Sequence, residues 1–332
     1  MINSPFASIL RGVNNSDRRL NVLVGPTHEA YETQLCKTGY NFFSLQHPSF
    51  KKWDNKFRKI PNNYQILSGN SVEEQIKADM VFDIVLSQNK FGQFQILSQI
   101  AKSFNIPLVS LEHTLPVPQW SSKHRDALKD MRGKLNVFIS EMSVPEWGFD
   151  MRDPSVRIIH HGIDVNQFNG WQGGDKKILT VCNDYINRRW CCGFDIWQQV
   201  TQGLPINPVG STPGLSQPAK DLEDLISKYK QCGVFLNTST ISPIPTALLE
   251  AASVGCPIVT TSTCLIPSFF KNGVNAIVSN DLQQLRLGLI DLLNNPDKAR
   301  KLGEEARQTI LQYFSEDNFV SNWDKILKEA VR

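Results

Sequence analysis

The sequence predicts an α/β protein made of two doubly wound domains that face a central cleft. Three observations support this class. Short apolar runs alternate with helix-length segments along almost the whole chain, which is typical of stacked βαβ units. The 332 residues suffice for two domains of about 150 residues each. A polar, glycine-rich stretch at residues 164–177 is suited to a hinge between them.

The apolar runs fall into two series of predicted parallel strands. The first series covers residues 20–25, 82–88, 107–113 and 135–140. The second series begins at residues 157–162 and continues at 177–183, 206–210, 233–239, 257–262 and 275–279. We therefore predict Rossmann-like domains over residues 1–163 and 164–332. A closing helix at about residues 316–331 can pack on either domain.

Composition excludes several classes of protein. The 41% hydrophobic and 20% charged content is that of a soluble globular protein. The N-terminal residues show no targeting pattern, and no apolar run reaches the roughly 18 residues that cross a bilayer. A net charge of +3 is too small to indicate nucleic acid by itself. Seven cysteines without CxxC spacing predict reduced thiols in a cytoplasmic protein.

Three segments in the second half carry a family pattern. In SPIPTALLEAASVGCPIVTTSTCLIPSFFKNGVNAIVSND, residues 242–281, the residues that match are Glu250, Gly255, Pro257, Pro267 and Gly273. The other two are VRIIHHGIDVNQF, residues 156–168, and ILTVCNDYINRRWCCGFDIW, residues 178–197. Together they resemble the donor site and interdomain segment of retaining GT-B-fold glycosyltransferases of the group-1, family 4-like class.

The resemblance implies a retaining hexosyl- or pentosyltransferase. Such an enzyme moves a sugar from a nucleotide-diphosphate-sugar to an acceptor, with no cofactor. The first domain is then the acceptor side and the second the donor side. The chain contains no Asp-Xaa-Asp, so a metal bridge to the diphosphate is not indicated. His160 and His161 point to opposite faces if they lie in a strand, which argues against a shared metal.

The predicted helix that carries Glu250 explains how a donor could bind. Free N–H groups and the helix dipole attract phosphate at a helix start. Because proline lacks an N–H, the candidate phosphate donors are Ile244, Thr246 and Ala247. Glu250 lies one turn beyond Thr246, where its carboxylate can accept hydrogen bonds from both ribose hydroxyls.

The donor pattern also departs from the family. Ser242 stands where the family has its first Glu, Pro-Ile-Pro replaces a glycine-rich turn, and Cys182–Asn183 replaces Gly-Arg. We keep Ser242 and Asn183 as candidate donor-binding residues. Arg188 and Arg189 occupy the loop that holds the leaving phosphate in the family, and arginine binds phosphate with a two-pronged fork.

Candidate residues of the first domain follow predicted strands. Gly25 permits close backbone approach, and His113 ends a strand where the family often has a His beside the reacting sugar. His28 and Glu29 begin the helix after Gly25. The stretch FKKWDNKFRK, residues 50–59, interleaves aromatic residues with five basic ones, of which Lys51, Lys52 and Arg58 are the remaining acceptor-side candidates.

The acceptor and several functional alternatives stay open at this point. The acceptor can be a glycan, a lipid-linked sugar or DNA, since basic and aromatic residues together suit phosphate contacts with stacking. A DNA-modifying sugar transferase, a nucleotide-sugar 2-epimerase and an inactive nucleotide- or carbohydrate-binding protein are the alternatives. The basic run can equally be a solvated loop. Nucleobase, sugar and oligomeric state are not indicated.

Overall fold

The computed structural model describes residues 19–332 of the chain. Contacts divide these residues into two compact units. The first unit contains residues 19–160 together with Phe319–Arg332, and the second contains His161–Asn318. Residues 1–18, on which the expected absence of a targeting signal depends, lie outside the described range. Among the described residues, no helix is long and apolar enough to cross a bilayer.

The first unit contains a seven-stranded sheet in which every neighbouring pair is parallel. The strands are β1 (Asn21–Val24), β2 (Asn41–Ser44), β3 (Tyr64–Ile66), β4 (Ile84–Ser87), β5 (Leu108–Glu112), β6 (Leu135–Phe138) and β7 (Val156–Ile158). Their order is β3-β2-β1-β4-β5-β6-β7. The central strands β4, β5 and β6 are buried along their whole length, as expected for a sheet covered on both faces.

The helices of this part of the first unit connect the strands. They are α1 (Glu29–Cys36), α2 (Val72–Gln75), α3 (Phe94–Phe104), α4 (Ser122–Lys129) and α5 (Ser143–Glu146). Three of these helices have an N-cap side chain that accepts a backbone N–H: His28 caps α1, Ser71 caps α2 and Ser121 caps α4. Asn105 ends α3 in a left-handed conformation that suits this residue type.

The second unit contains a five-stranded parallel sheet with the order β12-β11-β10-β8-β9. Its strands are β8 (Asp175–Val181), β9 (Ile206–Val209), β10 (Cys232–Asn237), β11 (Ile258–Thr260) and β12 (Ile277–Val278). Its helices are α6 (Arg189–Cys192), α7 (Phe194–Thr201), α8 (Leu222–Gln231), α9 (Thr246–Val254), α10 (Ile266–Phe269), α11 (Leu282–Asn294) and α12 (Pro296–Tyr313). The prediction of two doubly wound α/β units is confirmed.

The last helix, α13 (Glu316–Val331), lies where the sequence predicts it and packs on the core of the first unit. Phe319, Trp323 and Leu327 are buried in the same apolar cluster as strands β1 and β4. Trp323 is fully buried, and its indole Nε1 donates to the Tyr31 hydroxyl at 3.0 Å. The C-terminal segment therefore completes the first unit.

Two features of the first sheet differ from the predictions. The strand at Val156–Ile158 pairs with β6, so the run at residues 157–162 closes the first sheet and does not begin the second series. Strands β2 and β3 were not predicted. Both lie toward one edge of the sheet, where burial is incomplete, so neither forms the continuous apolar run that marks a central strand.

Candidate functional site

In the second unit, backbone hydrogen bonds join the loops that follow two adjacent strands. Strands β8 and β10 pair directly, so their carboxyl ends lie side by side. The Cys191 carbonyl, in α6 after β8, accepts the N–H groups of Thr240 at 2.8 Å and Ile241 at 3.2 Å. The Thr240 hydroxyl donates to the Trp190 carbonyl at 2.9 Å. Helix α6 is thus attached to the segment that leads from β10 into α9.

Two glycines permit this close packing of loops. Gly193 has a φ of 72°, and an added Cβ would lie 1.9 Å from the Thr238 carbonyl oxygen. Gly210 has a φ of 138°, and its Cβ would lie 2.0 Å from the Cys182 carbonyl oxygen. Both neighbours are backbone atoms that cannot rotate away, so any larger residue would push the loops apart.

The two arginines predicted to hold phosphate have different surroundings. Both are exposed at the start of α6, and Arg188 directly precedes the helix. The Arg189 guanidinium forms an ion pair with Asp195 at 2.5 Å and lies near the Phe194 ring. The described residues give Arg188 no such carboxylate; its electrostatic neighbours are the thiols of Cys182, Cys191 and Cys192. Arg188 is therefore the arginine with a charge available to an anion.

The three thiols beside Arg188 are an unpredicted feature. The sulfurs of Cys191 and Cys192 lie 3.8 Å apart, and Cys182 is half-buried beside them. A hydrogen bond from Cys192 is the largest influence on Cys182 and lowers its pKa, burial opposes this, and the Arg188 charge supports it. All seven cysteines of the chain are free thiols.

Helix α9 begins and ends where the sequence indicates. Pro245 occupies the N-cap position, without a side-chain hydrogen bond to the helix, and Gly255 ends the helix in a left-handed conformation. Since the first amides of a helix have no intrahelical acceptor, the N–H groups of Thr246 and Ala247 remain donors at this end. Ser242 and Thr246 are half-buried, whereas the Ile244 side chain is buried in the unit.

The carboxylate of Glu250 is held by a tyrosine from a neighbouring helix. Tyr229 in α8 is fully buried, and its hydroxyl donates to Glu250 Oε2 at 2.9 Å. Burial, and then the charge of Glu250, raise the pKa of Tyr229 well above its usual range, so Tyr229 stays a donor. This bond orients the Glu250 carboxylate, a group that has about four acceptor positions in all.

Asn183 lies between the ends of β8 and β9. It is exposed, and its side-chain Oδ1 accepts the backbone N–H of Ser211 at 2.8 Å. This bond ties the loop after β9 to the loop after β8. The structure therefore gives Asn183 a bracing role in the loop that also contains Arg188.

In the first unit, polar side chains follow the carboxyl ends of three adjacent strands. Thr27 follows β1, Gln88 follows β4 and His113 follows β5. His113 Nε2 lies 3.2 Å from Gln88 Oε1 and 3.4 Å from Thr27 Oγ1. The edge of Tyr31 packs against the His113 ring with centroids 4.5 Å apart. Sequence reasoning found His113 but missed Gln88, although Gln88 ends a predicted strand.

Glu32 is a buried carboxyl group beneath this cluster. It is 1% exposed, and its Oε1 accepts hydrogen bonds from the Gln88 amide at 2.5 Å and from the Thr27 backbone N–H at 3.1 Å. Burial raises the pKa of Glu32 to about 7, and these two hydrogen bonds offset the burial only in part. In the sequence, the signal for Glu32 was its position one turn after the start of the predicted helix.

Gly25 does not leave an open approach to the backbone. A Cβ at this position would lie 2.5 Å from Gln93 Oε1, because the Gln93 side chain covers Gly25. Gln93 is buried and bridges two neighbouring loops, accepting the Gln88 N–H at 3.0 Å and donating to the Pro26 carbonyl at 2.8 Å. The glycine is needed to accommodate Gln93.

The acceptor-side candidates near α1 form a partly neutralised cluster. Glu29 is 5% exposed and pairs with Lys51 at 2.7 Å, and it also accepts the Asp54 N–H at 2.9 Å. Burial opposes ionisation of Glu29, but the Lys51 hydrogen bond and the other contacts outweigh it and lower the pKa. His28 is exposed on the surface, but desolvation of its ring by the surrounding protein, and then the charge of Lys51, lower its pKa to about 4. His28 is thus neutral near pH 7.

The basic run at residues 50–59 is a loop with one turn. Phe50 is buried, and Trp53 packs on Tyr64 with ring centroids 4.9 Å apart while its Nε1 donates to the Arg58 carbonyl at 2.7 Å. These two rings face the protein core and do not form a stacking surface. Lys52 is exposed, and Arg58 is half-buried.

The described residues contain no group of three His, Cys, Asp or Glu side chains arranged to hold a metal ion. His160 is engaged otherwise: Nδ1 donates to the Ile139 carbonyl at 3.0 Å, and Nε2 lies 3.5 Å from Glu141. His160 belongs to the first unit and His161 to the second.

Part of the second unit matches a known sequence family. Residues 217–309 match the family model described as Glycosyl transferases group 1. The matched residues include α9 with Glu250, whereas Arg188 and the first unit lie outside them. Comparison with curated proteins gives no significant match.

Solved structures resemble almost the whole chain. Sucrose-phosphate synthase from Thermosynechococcus elongatus has a TM-score of 0.73 at 12% identity, covering 94% of this chain and 99% of its own. Anabaena HepE in complex with UDP has a TM-score of 0.72 at 14% identity, covering 94% and 100%. The lipopolysaccharide outer core galactosyltransferase WaaB has a TM-score of 0.56 at 12% identity, and the match covers 93% of this chain and 99% of WaaB. These likenesses confirm the GT-B fold predicted for the chain.

The buried Glu32 predicts a specific pH dependence of stability. Because folding raises its pKa from 4.5 to about 7, the protonated form is favoured in the folded state. The stabilisation that protonated Glu32 gives the folded state is complete below the unfolded pKa of 4.5. It is lost as the pH rises through about 7, and the free energy of unfolding falls by up to about 3 kcal/mol. Glu32→Gln should therefore gain stability relative to wild type between pH 5 and pH 8, measured by urea unfolding. The exposed Glu304→Gln is the control, and parallel wild-type and Glu32→Gln pH profiles would contradict the expectation.

Proposed function

We propose that the protein is a retaining, metal-independent glycosyltransferase of the family 4-like kind that moves a sugar from a nucleotide-diphosphate-sugar to an acceptor. One observation carries this proposal: the Cys191 carbonyl joins α6 to the loop before α9. That contact links α6, which Arg188 directly precedes, to the segment that leads toward Thr246, after the paired strands β8 and β10. A cation and a helix start in one region suit a diphosphate.

The second domain, residues 164–332, is assigned to the donor. The amides of Ile244, Thr246 and Ala247 bind phosphate oxygen, and Arg188 neutralises the charge that develops on the leaving group. Glu250, oriented by Tyr229, accepts the ribose hydroxyls. Ser242 and Asn183 complete the donor side, and Arg189 supports Arg188 at longer range because it is paired with Asp195.

UDP is the first nucleotide to test. HepE, one of the similar structures, was solved with UDP, with UDP and glucose, and with UDP-glucose. The low identity transfers only the fold, so the extension to this chain is part of the proposal. A hexose donor such as UDP-glucose is the natural starting substrate, with pentose donors next.

The first domain, residues 1–163, is assigned to the acceptor and to the contact between His113 and the sugar. The pairing of Lys51 with Glu29 reduces the positive charge on this side, and Phe50 and Trp53 face inward. These features favour a glycan or lipid-linked sugar over DNA as the acceptor. His28, Glu29, Lys51, Lys52 and Arg58 remain the candidate acceptor residues, and a cytoplasmic location remains a prediction.

Stereochemistry and metal dependence test the reaction directly. Incubation with UDP-glucose and no acceptor should release glucose slowly, and proton NMR of the first product should show the donor's anomeric configuration. Activity should persist in excess EDTA, because arginine and helix amides carry the phosphate charge. An inverted anomer, or activity restored only by Mg²⁺ or Mn²⁺, would contradict this part of the proposal. A changed sugar would indicate an epimerase, and binding without turnover of several nucleotide-sugars would indicate an inactive protein.

Glu250→Ala should weaken UDP binding by about 1.5–3 kcal/mol, or about 10- to 150-fold, because hydrogen bonds to a charged group are lost. Isothermal titration calorimetry with UDP and GDP measures the change. Tyr229→Phe is the matched variant, since it keeps the carboxylate and removes only the bond that orients it. Wild-type affinity of Glu250→Ala for every nucleotide that binds would remove the ribose role.

Arg188→Ala should lower kcat by about 100-fold or more, because charge on the leaving phosphate is greatest in the transition state. Its melting curve should stay near that of the wild type, since the side chain is exposed. Arg189→Ala, the neighbouring exposed arginine, should have the smaller effect on kcat because Asp195 already binds it. Equal turnover in wild type and Arg188→Ala would transfer the role to Arg189, and a silent double variant would exclude both.

A further inference from the structure

The Gln88 side chain lies at the centre of the polar cluster that follows β1, β4 and β5. It is fully buried and makes contacts on both sides of its amide. Its Nε2 lies 3.1 Å from the Gly25 carbonyl and 2.5 Å from Glu32 Oε1. Its Oε1 lies 3.0 Å from the Thr27 hydroxyl and 3.2 Å from His113 Nε2.

These partners determine which end of the amide is oxygen. A backbone carbonyl can only accept a hydrogen bond, so the end of Gln88 that faces Gly25 has to be the NH₂ group. The reversed amide would place its oxygen against the Gly25 carbonyl, leaving a close pair of acceptors inside the protein. The network therefore fixes Gln88 Oε1 toward His113.

The same reasoning assigns the hydrogen on His113. The Thr27 hydroxyl donates to Gln88 Oε1, so both groups near His113 Nε2 present acceptor oxygens. Only a ring with hydrogen on Nε2 can bond to them. The perpendicular contact with Tyr31, itself fixed by Trp323, restricts rotation of the ring.

We propose that Gln88 is a positioning residue that keeps the hydrogen of the His113 ring on Nε2 whenever the ring carries a single hydrogen. In that tautomer Nδ1 is the ring nitrogen that carries the lone pair. Glu32 in turn positions Gln88 and Thr27, because its Oε1 accepts hydrogen bonds from the Gln88 amide and from the Thr27 N–H. The consequence for turnover rests on the proposed function, whereas the tautomer does not.

The tautomer can be measured in the full-length wild-type protein. Two-bond proton–nitrogen NMR correlations on ¹⁵N-histidine-labelled protein distinguish a protonated from an unprotonated ring nitrogen. The chain has six histidines, and the signals missing from His113→Asn identify His113. At a pH where the ring is neutral, Nε2 should carry the hydrogen. A ring protonated on Nδ1, or an even mixture, would overturn the proposal without any variant of Gln88.

Gln88→Met tests whether Gln88 is the cause. The variant removes the acceptor, so His113 should change to a mixture of tautomers. Ser87→Ala is the matched control, because Ser87 is equally buried and its hydroxyl donates only to the Asn89 carbonyl, at 3.0 Å. Retention of the Nε2 tautomer in folded Gln88→Met, or a mixture in Ser87→Ala, would refute the role of Gln88. If Gln88→Met does not fold, the wild-type measurement decides.

Kinetics separate positioning from general damage. With UDP-glucose as the donor, Gln88→Met should lower kcat by about 10- to 100-fold, the scale of misplacing a group that contacts the substrate. UDP affinity, measured by calorimetry, should stay at the wild-type value because the proposed nucleotide site lies in the second unit. Equal loss of kcat and UDP affinity would refute the positioning role. Failure of the wild type to turn over any nucleotide-sugar would refute the proposed function alone and leave the NMR result standing.

Discussion

The donor-side arrangement depends on one backbone contact, the acceptance of the Thr240 and Ile241 N–H groups by the Cys191 carbonyl. Parallel strands place all their carboxyl ends at one edge of a sheet, but that alone does not hold the loops in register. The Cys191 contact does so, and it requires Gly193, where any Cβ would meet the Thr238 carbonyl. The position of Arg188 relative to the start of α9 therefore follows from backbone packing, to which the Thr240 hydroxyl adds its hydrogen bond to the Trp190 carbonyl.

The sequence was a reliable guide wherever structure is determined locally. Buried strands appear as continuous apolar runs, and helix α9 is bounded by Pro245 and Gly255, whose effects on the backbone are local. Strands β2 and β3 were missed because their incomplete burial leaves no continuous apolar run. The pairing of β7 with β6 could not be predicted either, since an apolar run carries no information about which sheet it joins.

The candidate site residues also divide into those that local sequence predicts and those that depend on distant contacts. Thr246 and Glu250 are related by helical spacing, so their common face could be predicted. The bonds that orient the functional groups connect distant positions: 21 residues separate Tyr229 from Glu250, and 25 separate Gln88 from His113. The bond between Trp323 and Tyr31 spans 292 residues. No local pattern marks such partners, because a Gln at a strand end or a buried Tyr is common in any α/β protein.

The two clusters of polar groups, one in each unit, differ in their chemistry. Around Arg188 and the start of α9, the groups that a ligand can meet are a cation and amide donors, which suit phosphate. Around His113 they are a hydroxyl, an amide oxygen and an imidazole, with the Glu32 carboxyl group buried below and shifted toward its neutral form. Such uncharged donors and acceptors recognise hydroxyl groups and have little attraction for phosphate. In the basic run at residues 50–59, Lys51 is paired with Glu29 and the rings of Phe50 and Trp53 are part of the fold, whereas Lys52, Lys56 and Lys59 are exposed. The polar groups of the second unit thus suit a phosphate-bearing ligand, and those of the first unit suit a hydroxyl-bearing one.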